Sequence, residues 1–216
     1  DRNKIALQSD ILGANALGIK NILCITGDSV KAGDQQNTKA VHEFESVKLL
    51  KQIQSFNNGI DPTYELLSDH KTEIFAGAAA DPSYKNLKIV KMRTEQKKEA
   101  GARFIQTQMI MDKKYLIDFC DEISKPLNLP VLAGVFLLKS YKNALFINKF
   151  VPGANIPDQI LNRLKESNNP SEEGINIAAE QVREFIAISQ GVHIMAVKSE
   201  HLIPEILKRA EINLEY

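Results

Sequence analysis

The chain has 216 residues, 44% hydrophobic and 25% charged, which is the balance a globular domain needs to bury a sizeable core. Lys plus Arg and Asp plus Glu are equal at 27 each, so no overall field draws the chain onto nucleic acid or an anionic membrane, and any basic ligand contact is local. No apolar run approaches the ~20 residues of a membrane span, and the first residues are polar rather than signal-like, so one cytoplasmic domain over residues 1–216 is expected.

Helical periodicity alternates with short β-branched runs, the pattern of parallel βα units rather than hairpins. Leu7, Ile11, Leu12 and Leu17 make an apolar helix face that stops at Gly18. This helix begins almost at once, with no capping loop or strand before it, so further chain is expected upstream. Residues 21–26 (NILCIT) read as a buried strand running into Gly27 and Asp28. The polar stretch 29–45 is long for a connection in a compact domain, and such loops are functional or disordered. A helix over 46–56, a strand over 72–78 and a helix over 85–100 closing at Gly101 follow. Next come a strand over 103–108, a helix over 113–124 and a strand over 130–136. The alternation then breaks into helices over 140–150, 157–166 and 172–190, with a Val151-Pro152-Gly153 interruption after the first. A strand over 193–197 and a helix over 202–210 end the pattern.

Five buried strands with helices between them fit either an open doubly wound sheet or part of an eight-stranded barrel; periodicity does not choose. Both architectures bind ligands at the carboxyl ends of their strands, so residues 27–28, 79–82, 108–111 and 136–139 are expected on one rim.

Several rim residues have two readings. Asp28, after Gly27, is either a loop-fixing carboxylate or a charge beside a redox cofactor. The small residues of FAGAAA (75–80) either leave room for something bulky or let a helix pack closely. Val90, Thr94, Lys97 and Gly101 share a helical stripe, so Lys97 is either a snorkelling lysine or a phosphate contact. Gln106 and Gln108 point to one side of their strand and Thr107 to the other, which puts two amides at a ligand or at a solvated strand end. His42 and His70 fall in polar loops, His193 begins an apolar strand and His201 opens the last helix; none suggests a triad or a metal site. Cys24 and Cys120 read as reduced packing residues. Neither GxGxxG nor a Walker-type loop is present.

DRNKIALQSDILGANALGIKNILCITGD (1–28) resembles the segment around strand four of methylenetetrahydrofolate reductases. The resemblance continues through FAGAAADP (75–82), KKEAGARFIQTQ (97–108), VPGANIPDQILNRL (151–164) and GVHIMAV (191–197), in family order. It implies a TIM-type (βα)8 barrel, here an incomplete one of about five βα units. The first three strands, which carry the family's folate-protonating glutamate, have no counterpart in these residues. It also implies FAD as cofactor, NADH or NADPH as electron donor, and reduction of methylenetetrahydrofolate to methyltetrahydrofolate. The alternative is a non-catalytic relative that keeps a folate or flavin site. A homo-oligomer, a redox partner subunit and a homocysteine methyltransferase fused upstream are compatible with the family.

Carried over by position, Asp28 resembles the family aspartate near flavin and folate, with Thr26 and Gly27 beside it in the flavin-contacting turn. Ala79 and Asp81 fall at flavin-contacting positions, and Lys97 matches a basic residue near the flavin phosphates. Gln108 resembles the glutamine that meets the pterin. Asn143 and Ile147 stand where some relatives use glutamine and phenylalanine at the folate. Departures are Asp81 in place of an aromatic or amide, Gln96 in place of a basic residue, and Leu137 in place of proline.

Overall fold

The structure, a computed structural model, describes residues 2–61, 71–151 and 153–212. Asp1, His70, Pro152 and residues 213–216 lie outside them.

Five strands, β1 (Asn21–Cys24), β2 (Phe75–Ala80), β3 (Phe104–Met109), β4 (Val131–Phe136) and β5 (Gly191–Met195), form one sheet in that order. β1 and β2 run parallel with Asn21 opposite Phe75, and β4 and β5 run parallel with Leu132 opposite Gly191. The order lacks the reversal that a doubly wound sheet requires, which leaves the part-barrel reading. Between and around the strands lie α1 (Lys4–Ala16), α2 (Ser46–Asn57), α3 (Leu87–Glu99), α4 (Lys113–Phe119) and α5 (Lys125–Leu127). After β4 come α6 (Tyr141–Phe150), α7 (Asp158–Glu166) and α8 (Pro170–Ile186), and after β5 comes α9 (Ile203–Arg209).

Boundaries differ from the sequence reading where side chains take over backbone partners. The strand expected from residue 72 begins at Phe75, whose N–H donates to the Lys20 carbonyl at 2.7 Å. Upstream, the Asn57 side chain accepts from the Thr72 hydroxyl and the Ile74 N–H and donates to the Ile74 carbonyl, so residues 72–74 bond to the end of α2. The helix expected over 113–124 extends to Leu127 through a π-helical turn, Cys120–Ser124, and stops at Asn128 with φ 49°. Pro126 has no N–H for the ladder, and the wider turn lies directly before it. In α1 only Ile11 is buried; Leu12 and Leu17 are 40% and 83% exposed, so the expected apolar face is not a packed one.

The chain divides into two units. The first comprises residues 1–79 and 92–105. Its core is built by Leu50, Ile53 and Phe56 of α2, which packs on β1, with Cys24, Ala76 and Ala78 from the strands. Each large side chain buried here is worth about 1.5–3 kcal/mol. Burial pushes the Cys24 thiol up to about 12, as expected of an inert packing residue. Gly77 shows what the FAGAAA run admits in mid-strand. Its alternate neighbours Ala76 and Ala78 are buried, and on the other face a Cβ at Gly77 would sit 2.2 Å from the tip of the Phe104 ring. At Gly77 the bulky group admitted is an internal side chain, stacked at 5.6 Å on Phe75 with the Arg103 guanidinium 5.3 Å above the Phe75 ring.

The second unit comprises residues 80–91 and 106–216. Val131, Ala133 and Val135 of β4 are fully buried, and α8 packs on this strand with Ala178, Val182 and Phe185. A glycine inside α8 looks unfavourable until its surroundings are seen: a Cβ at Gly174 would stand 1.7 Å from the Leu138 carbonyl oxygen. α6 and α7 are held by a satellite core of Leu138, Ala144, Ile147, Ile156, Leu161 and Leu164. Arg163 fixes α7 to α8 by bonding both oxygens of Glu180, at 2.6 and 3.0 Å, and Glu173 at 2.7 Å. Cys120 is buried, which pushes its thiol up to about 11.

Candidate functional site

In the first unit the end of β1 is tied to the start of α2. The Thr26 hydroxyl accepts from the Ser46 N–H and donates to the Ser46 hydroxyl, both at 3.3 Å. Gly27 has φ 79°, a left-handed conformation that an L side chain adopts at a cost, and its Cβ position faces open space. Asp28 is exposed and makes no hydrogen bond among the described residues. It lines a shallow groove of about 440 Å³ formed by the polar loop itself, with Val30, Asp34, Gln35 and Lys39. The loop expected to be functional or disordered carries a 3-10 turn, Val30–Ala32, capped by Ser29, and ends at Glu45, whose carboxylate caps α2.

The stripe on α3 is buried at Thr94, 1% exposed, and half-buried at Lys97. The Lys97 Nζ donates to the Ala79 carbonyl at 2.6 Å. Its pKa is lowered chiefly by burial and also by Arg93, while Glu45 pulls the other way. An ammonium has three donors, so two remain for another acceptor. Thr26, Ala79 and Lys97 are thus each committed to a local bond, whereas Gly27 and Asp28 are open.

In the second unit Asp81 is half-buried at a cleft of about 940 Å³ that it shares with Tyr84, Lys85, Tyr115, Asp118 and Asn155. Burial raises its carboxyl pKa, and a 2.9 Å bond from the Ser83 N–H opposes the rise. Its second oxygen lies 3.1 Å from where a Cβ of Gly153 would stand, so the loop after α6 comes close to this carboxylate at a glycine of φ 81°.

β3 follows the predicted alternation: Ile105 and Thr107 are buried, Gln106 is half-buried and Gln108 exposed. The Gln108 amide has no partner among the described residues, while its carbonyl accepts from the Thr107 hydroxyl at 2.7 Å. At the start of α6 the Asn143 Oδ1 accepts from the Lys139 N–H at 3.2 Å, and its amide nitrogen has no partner among the described residues. Ile147 is 3% exposed and packs in the satellite core.

His193, which by its sequence suggests neither a triad nor a metal site, is bonded into the sheet. It sits in the middle of β5, its Nε2 2.8 Å from the Thr107 carbonyl and its Nδ1 3.2 Å from the Gln106 Nε2. Burial lowers its pKa, and the Thr107 bond works against that shift. The imidazole reaches past Gly134 of β4, where a Cβ would lie 2.5 Å from the Gln108 carbonyl oxygen and 3.0 Å from His193 Nε2. The polar residue in an apolar strand was visible in the sequence; its bonding to a strand two places away in the sheet was not. No group of three or more His, Cys, Asp or Glu able to hold a metal ion occurs among the described residues, and no described helix is long and apolar enough to cross a membrane.

Comparison with known proteins adds three findings. Residues 1–211 match the family model described as methylenetetrahydrofolate reductase. No curated protein matches the chain. Among solved structures, an uncharacterized protein from Clostridium thermocellum, described as binding two copies of 5-methyl-5,6,7,8-tetrahydrofolic acid, aligns with TM-score 0.56 and 17% identity. The alignment covers 88% of this chain and 71% of that one. At that identity the likeness is one of fold.

Proposed function

The chain belongs to the methylenetetrahydrofolate reductase family, and on that premise we propose that it carries out FAD-dependent reduction of 5,10-methylenetetrahydrofolate to 5-methyltetrahydrofolate. The observation that carries the proposal is the family match, which spans nearly the whole chain. The chemistry supplied by bound FAD is hydride transfer from NADH or NADPH to the folate.

Two observations fit such a cofactor. The backbone at Gly27 faces open space on its Cβ side, which admits a flat ring close to the main chain. Lys97 keeps two donors after bonding Ala79, which suits an ammonium beside a diphosphate. In the first unit, then, Thr26 and Gly27 shape the turn against the flavin, Ala79 contacts it from the next strand end, Lys97 lies beside its phosphates, and Asp28 places a negative charge near the reacting ring. In the second unit, Gln108 binds the folate through its free amide, which supplies both a donor and an acceptor to the pterin edge. Asn143 adds an amide donor, and Asp81 is a further cofactor contact at its cleft.

A second reading, a module that binds a reduced folate without redox chemistry, draws on the solved relative from Clostridium thermocellum, described as binding 5-methyl-5,6,7,8-tetrahydrofolic acid. One experiment separates the two. The purified chain is incubated with FAD, desalted and scanned for flavin absorbance, then assayed for NADH and NADPH oxidation dependent on methylenetetrahydrofolate. Retained flavin is the expected result, with folate-dependent oxidation conditional on the folate-protonating glutamate, for which these residues hold no counterpart. Absence of flavin alongside saturable 5-methyltetrahydrofolate binding replaces it with the second reading, and absence of both removes the proposal.

A further inference from the structure

A carbonyl oxygen accepts hydrogen bonds and never donates them, so the 2.8 Å contact between the Thr107 carbonyl and His193 requires the proton on Nε2. In the neutral imidazole Nδ1 is then a bare lone pair. A lone pair repels an amide oxygen and attracts an amide N–H, so the Gln106 side chain must turn its nitrogen toward Nδ1, as the 3.2 Å contact has it. The amide polarity follows from the Thr107 carbonyl alone, two bonds away. Gln106 Oε1 makes no hydrogen bond among the described residues. The relay is also held from outside. The Thr107 hydroxyl accepts from the Gly134 N–H at 2.9 Å and donates to the Gln108 carbonyl, and Gly134 leaves the space the imidazole needs. None of Gln106, Thr107 or Gly134 is titratable.

We infer that His193 is a positioning residue that fixes the Gln106 amide with its oxygen outward, giving the second unit a built-in acceptor for a ring N–H donor of the bound ligand. Resting on the folate reading above, that donor belongs to the reduced pterin, whose ring carries several N–H groups. Gln106 and Gln108 then differ in kind. Gln108 is free to rotate and offers either end of its amide, whereas Gln106 holds its oxygen in one place, with its nitrogen kept beside His193, and rejects a ring that presents a lone pair to that oxygen.

The test starts on the ligand-free chain labelled with 15N-histidine, with the His193 signals assigned by their loss in His193→Phe. Long-range proton–nitrogen correlation is expected to find Nε2 protonated and Nδ1 bare, and Gln106→Leu is expected to move the Nδ1 resonance while Nε2 stays protonated. A Nδ1-protonated imidazole, a rapid mixture of tautomers, or a Nδ1 resonance indifferent to Gln106→Leu overturns the inference. Calorimetric titration with 5-methyltetrahydrofolate then tests the ligand side. Gln106→Leu should weaken binding about tenfold, the worth of one hydrogen bond of roughly 1.4 kcal/mol. His193→Phe added to Gln106→Leu should weaken it no further, because His193 acts through Gln106. Additive losses contradict that link. If the unmodified chain shows the expected tautomer but binds no 5-methyltetrahydrofolate, the folate reading fails and the fixed amide stands.

Discussion

The two polar regions of the molecule are built in opposite ways. After β1, Gly27, Asp28 and the loop over 29–45 leave their polar groups largely to solvent, and the one glycine at the strand end is required by its φ of 79° rather than by lack of space. At the centre of β3, β4 and β5, Gln106, Thr107 and His193 are buried or half-buried and bonded to one another, and Gly134 is required by space, since a side chain there would overlap the Gln108 backbone. The first arrangement can accept a ligand by filling an open surface. The second can recognise one only through the few polar atoms its internal bonds leave over, which makes it stiffer and more selective.

Substitutions that strike each construction at its weak point break the comparison most sharply. Gly134→Ala should cost about 3 kcal/mol or more in urea unfolding, because the obstacle is a backbone carbonyl that cannot swing aside; a loss under about 1 kcal/mol would mean that the lattice is soft. His193→Phe should cost roughly 1–3 kcal/mol by orphaning the Thr107 carbonyl and the Gln106 amide. The same variant isolates a pH effect. Burial lowers the His193 pKa from its ordinary 6.5, so the stability it contributes is fully present above pH 6.5 and is lost as pH falls through the folded-state value. Unfolding midpoints measured across this range should therefore fall more steeply on acidification in the unmodified chain than in His193→Phe. In the open region Gly27→Ala should cost only about 1 kcal/mol, the penalty of a left-handed alanine with nothing to collide with. Smallest of all, Asp28→Asn should change stability by less than about 0.5 kcal/mol, since the carboxylate has no bond to lose among the described residues. Circular dichroism melts of the two variants side by side check this last pair.

How far the sequence went follows the same division. Periodicity found all five strands and the helices between them to within a few residues, because alternation and helical stripes are local signals. It placed Gln106 and Gln108 on one face and Thr107 on the other, as they are. What it could not supply depended on residues far apart in the chain: Asn57 drawing residues 72–74 out of β2, the Phe104 ring lying over Gly77, the Leu138 carbonyl forbidding a side chain at Gly174, and His193 bonded to β3. The apolar spacing of α1 misled for a related reason, since periodicity records which residues share a face and not whether anything covers it. Motif order identified the family, and the match over residues 1–211 bears that out. Gly27, Asp28 and Gln108 were legible as strand-end candidates because ligands meet strands at their carboxyl ends, and each is exposed in its own unit, whereas the burial of Ile147 depends on side chains far along the chain.

The proposed contact between Gln108 and the pterin of a folate is open to calorimetric titration of the unmodified chain and of Gln108→Leu with 5-methyltetrahydrofolate. Saturable binding to the unmodified chain is expected, with a loss of about tenfold in Gln108→Leu for the removed hydrogen bonds, and an unchanged melting temperature because the Gln108 amide supports nothing else among the described residues. Equal affinity in the two proteins, or no binding to the unmodified chain, would contradict it.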